Sequence, residues 1–171
     1  LSVGKKRFIV DSGVSSYSDD NFRKYQRSTR AHNTVCIDKK DQAEMWGSFR
    51  VARRFKPNNV SFINNNNGFS FSGSFKGYSK LIGDNLVHKR KIECDLNEIT
   101  IIDSVSGKNN HLIESMIHLH PDVKIANIEN GFNLSLGSEK IDLIIERGEA
   151  TIEKAFYSPQ MGLNLENQVI V

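Results

Sequence analysis

The stretch RSTRAHNTV, residues 27–35, places an imidazole, His32, among fixed positive charges. Arg27 and Arg30 lie inside it and Arg23 just upstream. Like charge lowers an imidazole pKa, so arginines close to His32 would keep it neutral near pH 7. A neutral imidazole accepts a proton, while arginines hold an anion by charge-assisted hydrogen bonds. The alternative is a structural histidine at a strand entrance, because an apolar, β-branched run begins at Val35.

Other side chains carry chemistry beside a plainer reading. In DKKDQAEMWGSFRVARR, residues 38–54, Asp41 and Glu44 either ligate a metal or orient arginines, and ion pairing is the simpler reading. Trp46, the single tryptophan, either stacks on a sugar ring or caps the core. Tyr78 follows a glycine and stands near Lys76 and Lys80. A phenol beside cations can have a depressed pKa and act as acid or base; a tyrosine packed at a sheet edge fits equally well. His118 and His120, two residues apart, would share one strand face, a spacing that can bind metal. No third ligand stands nearby and Pro121 ends the strand, which favours a structural role. His88 alternates with apolar residues and His111 lies in a polar turn; neither stands out.

These residues must be positioned by strands. Period-two alternation runs through twelve segments, residues 33–38, 49–55, 60–64, 69–75, 86–94, 98–107, 112–120, 123–130, 132–137, 140–148, 150–158 and 167–171. Turn signals such as KPNN, SGKNN and RGE separate them, and the run Asn64 to Asn67 reads as a hairpin loop. About twelve short strands predict an all-β fold, an antiparallel β-sandwich, with residues 1–171 as a single domain. Residues 18–28, SDDNFRKYQRS, read as helical or irregular, and a strand is expected at Phe8-Ile9-Val10.

A chain of 171 residues with 38% apolar and 25% charged residues is ordinary for a domain with its own core. No apolar run approaches the ~20 residues that span a bilayer. The opening LSVGKKRFIVDSG does not read as a signal peptide but as the middle of a longer protein. Cys36 and Cys94 read as buried free thiols within strands; a disulfide between them is the alternative. No glycine-rich phosphate loop, zinc-finger spacing or heptad pattern is present, and no nucleic-acid partner is expected. Residues 1–91 hold 18 of the 23 Lys and Arg but 7 of the 20 Asp and Glu. Such a block suggests an anion-binding face, unless folding evens it out.

The pieces DSG…Y, R…RSTRAHNTV and D…DQ.E.WG.F, then GY, HKR, HLHP and YSPQMG, resemble the C-terminal β-sheet domain of the heparinase II/III-like polysaccharide lyases. The likeness runs from Asp11 to about Gly162. It implies a lyase that cleaves uronic-acid-containing acidic polysaccharide by β-elimination, in a cleft shared with an upstream α/α-toroid domain. It implies His32 and Tyr78 as the catalytic candidates of this chain, and the principal catalytic tyrosine in the toroid, so that the chain alone would be inactive. Expected substrate contacts are Arg27, Arg30, Asn33, Glu44 and Trp46. No cofactor is implied beyond a structural divalent metal held in some members by histidine and carboxylates; the metal ligands here are unknown. SGSFKGY, residues 72–78, lacks the histidine often found there, which counts against a metal. Periplasmic or secreted bacterial localisation is also implied. The rival reading is a non-catalytic carbohydrate- or polyanion-binding β-sandwich module.

Overall fold

Period-two alternation becomes antiparallel ladders along most of the chain. The computed structural model describes residues 1–18 and 20–171. In chain order the strands are β1 (Ser2–Val3), β2 (Lys6–Arg7), β3 (Val35–Ile37), β4 (Glu44–Trp46), β5 (Arg50–Ala52), β6 (Asn58–Asn65), β7 (Gly68–Phe75) and β8 (Val87–Cys94). They continue with β9 (Ile99–Ser106), β10 (Ile113–Ser115), β11 (Ile117–His118), β12 (Lys124–Ile128), β13 (Gly131–Leu136), β14 (Glu139–Ile144), β15 (Ile152–Tyr157) and β16 (Leu165–Ile170). Helix α1 spans Asn21–Arg27, a 3₁₀ turn spans Thr29–Ala31, and α2 spans Gly77–Leu81.

The all-β, antiparallel sandwich class is what forms, and each of the twelve alternating segments contains a strand. The differences are local. Residues 112–120 break into β10 and β11 at Met116, which is buried and donates its N–H to the Thr34 carbonyl. β1, β2 and β4 are two or three residues long, too short to show alternation. Phe8 to Val10 makes a single bridge, Ile9 to Leu119, rather than a strand. Of the segment expected to be helical, Asp19 lies outside the described residues, and α1 accounts for most of the rest. Asp20 caps it by accepting the Arg23 N–H at 2.7 Å.

The chain forms two compact units, Leu1–Thr34 with Ser115–Val171, and Val35–Glu114. In the first, the antiparallel sheets β11-β16-β15 and β12-β13-β14 contribute to one apolar cluster. Phe8, Leu119, Val123, Phe132, Leu134 and Ile170 form its buried centre. Burial of each such side chain is worth about 1.5–3 kcal/mol. Gln26 ties α1 into this unit: its carboxamide donates to Ser15 Oγ and Ser158 Oγ, both at 2.9 Å.

In the second unit, β6-β7-β8-β9 form a sheet whose register puts His88, Arg90, Asp103 and Val105 on one face. One end of that face joins the cluster of Val35, Ile37, Tyr78 and Leu86. There Asp103 accepts from His88 Nε2 at 2.7 Å and from Arg90 Nε and Nη2 at 2.8 and 2.7 Å. Burial opposes the charge on Asp103, but the hydrogen bonds from Arg90 and His88 outweigh it and hold the carboxyl far below the usual range.

Folding also evens out the charge. The first unit holds 11 basic and 11 acidic residues, the second 12 and 9. The basic half of the sequence is therefore not a basic half of the fold, because residues 1–34 pack with the acidic C-terminal segment. Cys36 and Cys94 are free thiols; Cys36 is buried, as expected, while Cys94 is only half-buried.

Candidate functional site

The motif loop takes its shape from alternating burial. Thr29 and Ala31 point inward, and His32 follows in extended conformation (φ −127°, ψ 156°) with its side chain 41% exposed. Behind it, Asn33 Nδ2 donates to the Val10 carbonyl at 2.8 Å, and Asn33 Oδ1 accepts the His118 N–H at 2.7 Å. His118 is fully buried, and its Nε2–H donates to the Arg30 carbonyl at 2.8 Å. Burial pushes the His118 pKa down, so it sits neutral beneath the loop. The packed role read from the sequence for His118 is the one seen. His120 lies outside β11, and its ring is tilted against that of Tyr157, with the centroids 5.5 Å apart.

The surroundings of His32 differ from expectation. Its Nδ1 meets a carboxylate, Asp11 Oδ1, at 2.6 Å. Arg30 pairs with Glu153 at 3.1 Å, and buried Arg23 lies over the Tyr17 ring at 5.1 Å. Arg27 is half-buried in the last turn of α1. His32 thus has a carboxylate partner from far upstream in the sequence, in addition to its arginine neighbours along the chain. The hydrogen bond from His32 holds the Asp11 carboxyl below its ordinary value. Asn33, expected to contact substrate, has both ends of its carboxamide on the main chain and acts here as a brace.

The remaining sequence candidates belong to the second unit. Glu44 pairs with Arg53 at 3.1 Å, the plainer alternative for that carboxylate. Trp46, opposite Arg50 in the β4–β5 hairpin, is 54% exposed, so it does not cap a core. Tyr78 corrects the expectation of a depressed pKa. It is fully buried, donates to the Val35 carbonyl at 2.8 Å, and burial raises its phenol pKa well above the ordinary value. Gly77 allows this placement, since a Cβ there would run into the rings of Phe75 and Phe55. In this chain Tyr78 is a core tyrosine.

Two polar clusters escaped the sequence reading, the His88–Arg90–Asp103 cluster and one built on His111. Asp38 Oδ2 lies 2.6 Å from His111 Nδ1, and Asp84 Oδ2 lies 2.9 Å from Nε2. Asp38 also accepts the Leu112 N–H, and Asp84 those of Lys108 and Asn109, so three loops meet at one imidazole. With carboxylates at both ring nitrogens the ring must donate twice, as an imidazolium. Hydrogen bonds to Asp38 and Asp84 raise its pKa. A raised pKa gives stability that is full below the unfolded histidine value and is lost as pH rises through the folded one. The gap in denaturation midpoint between wild type and His111→Ala should thus be wider at about pH 5.5 than at about pH 9. A constant gap would contradict the clamp. Among the described residues, no three His, Cys, Asp or Glu side chains are grouped to hold a metal ion, and no helix is long and apolar enough to cross a membrane.

Solved structures share this fold. A heparan sulfate lyase, HepC, from Pedobacter heparinus matches with a TM-score of 0.75 at 20% identity, over 97% of this chain and 25% of that one. A heparinase III gene product matches with a TM-score of 0.71 at 19% identity, over 96% of this chain and 25% of that one. The chain thus spans about a quarter of the length of these structures. No curated protein matches it. The fold is therefore that of a β-sandwich region found in polysaccharide lyases. The family described as Heparinase II/III-like, C-terminal matches residues 1–171, and the chain belongs to it.

Proposed function

We propose that this chain is the C-terminal β-sandwich of a two-domain lyase that cleaves uronic-acid-containing polysaccharide by β-elimination, with His32 at the reacting sugar. The observation that carries the reading is a half-exposed His32 paired through Nδ1 with Asp11, in the motif loop of a heparinase II/III-like domain. In β-elimination the proton on C5 passes to a base, the C4–O4 bond breaks as a C4–C5 double bond forms, and O4 takes a proton. The C5 proton becomes acidic only once the neighbouring carboxylate is neutralised. With Nδ1 bonded to Asp11, His32 handles a proton, or binds that carboxylate, through Nε2. Arg27 and Arg30, in the same unit as His32, supply charge for an acidic sugar chain. An upstream α/α-toroid completes the site, and a periplasmic or secreted location suits a substrate of this size and charge.

The test compares an acidic polysaccharide with its carboxyl-reduced derivative, using the full-length protein. Unsaturated uronate, followed by ultraviolet absorbance, should form from the first alone, and residues 1–171 by themselves should show negligible turnover. Binding of acidic glycan without turnover by the full-length protein would sink the lyase reading in favour of a binding module.

A further inference from the structure

We infer that Asp11 is the positioning residue for His32, locking its neutral imidazole as the Nδ1–H tautomer and so making Nε2 the atom that exchanges a proton with substrate. The chemistry rests on the lyase reading; the geometry does not. A carboxylate only accepts, so the 2.6 Å contact from Asp11 Oδ1 requires the hydrogen on His32 Nδ1. The carboxylate is itself held. Its Oδ2 accepts the Gly13 N–H at 3.2 Å. Gly13 adopts φ +71°, and a Cβ there would run into the Ser158 carbonyl. Ser158 N–H donates to the Ser12 carbonyl at 2.7 Å, so the Asp11-Ser12-Gly13 turn is fastened to the segment following β15. The residue before it, Val10, is fastened on two sides: its N–H donates to the His118 carbonyl at 2.9 Å, and its carbonyl accepts from Asn33.

Asp11 and His32 therefore hang from one brace, Asn33, although 21 residues separate them. This gives a physical reason for two residues of the DSG turn: an acceptor for the imidazole, and a glycine where no side chain fits. The negative charge also raises the basicity of Nε2, whereas arginines alone would lower it. The general pattern is a base oriented by a third group. Replacing such a carboxylate by its amide costs ~10⁴-fold where the pair is buried. Here both partners are partly exposed, so a loss of about tenfold to a hundredfold in kcat is expected.

Two measurements test this. In the 171-residue chain, nitrogen NMR above the imidazole pKa should show His32 as the Nδ1–H tautomer, and Asp11→Asn should lower the pH at which His32 titrates. In the full-length protein, Asp11→Asn should lower kcat with little change in KM and move the acid limb of kcat to lower pH, while Asp11→Glu recovers part of the rate. A carboxylate that merely supported the fold would leave that limb in place. An Nε2–H tautomer in the wild-type chain, or a His32 titration unchanged by Asp11→Asn, would overturn the inference. If the full-length protein turns over no acidic polysaccharide, the lyase reading falls separately, and the NMR result still decides the Asp11–His32 pair.

Discussion

Replacing His32 by alanine in the full-length protein should lower kcat/KM on acidic polysaccharide by ~10²- to 10⁴-fold, the contribution of a positioned acid–base group. That corresponds to about 2.7–5.4 kcal/mol of transition-state stabilisation. Stability should barely change. The imidazole is 41% exposed, and its partner Asp11 is 57% exposed, so water can take over the contact. The loop keeps its brace through Asn33 and its floor through His118. His118→Ala is the contrast: it opens a hole in the interior and orphans the Arg30 carbonyl, so it should lose stability first and rate as a consequence. Near-normal turnover by His32→Ala, or lost activity that follows lost folding, would return His32 to the structural class.

The second large effect concerns stability alone. Asp103→Ala should destabilise the second unit by about 3 kcal/mol, the lower end of the range for removing one partner of a buried ion pair. The lower end applies because the side chains of Arg90 and Asp103 are 19% and 14% exposed, which lets some water in. The cost arises because the His88 ring and the Arg90 guanidinium are left facing a void where both had a carboxylate. Denaturant unfolding of wild type and variant measures it. A loss below about 1 kcal/mol would mean that this cluster behaves like an exposed pair.

Strong alternation made the long strands legible. β6 to β9 and β12 to β16 each carry five or more residues, enough to show the period. β1, β2 and β4 do not, and neighbours rather than local pattern decide them. The RSTRAHNTV loop was legible as a candidate site because it gathers unusual residue types, but the carboxylate partner of its histidine was not. Sequence proximity suggested arginines around His32, whereas Arg30 turns to Glu153 and the imidazole meets Asp11 from far upstream. The DSG turn was visible as a family piece, but nothing local said whose partner its aspartate was. His111 shows the same limit: its carboxylates stand 73 and 27 residues away. Tyr78 failed differently. Lys76 and Lys80 neighbour it in sequence but are exposed, while α2 turns the phenol into the core.

The most direct test of the central claim is the mass of the products formed by the full-length protein from a defined uronic-acid oligosaccharide. Elimination splits the chain without adding water and leaves an unsaturated uronate on one fragment. The account predicts product masses that sum to the mass of the substrate, together with new ultraviolet absorbance. Products that sum to the substrate plus one water, with no such absorbance, would identify a hydrolase and contradict it.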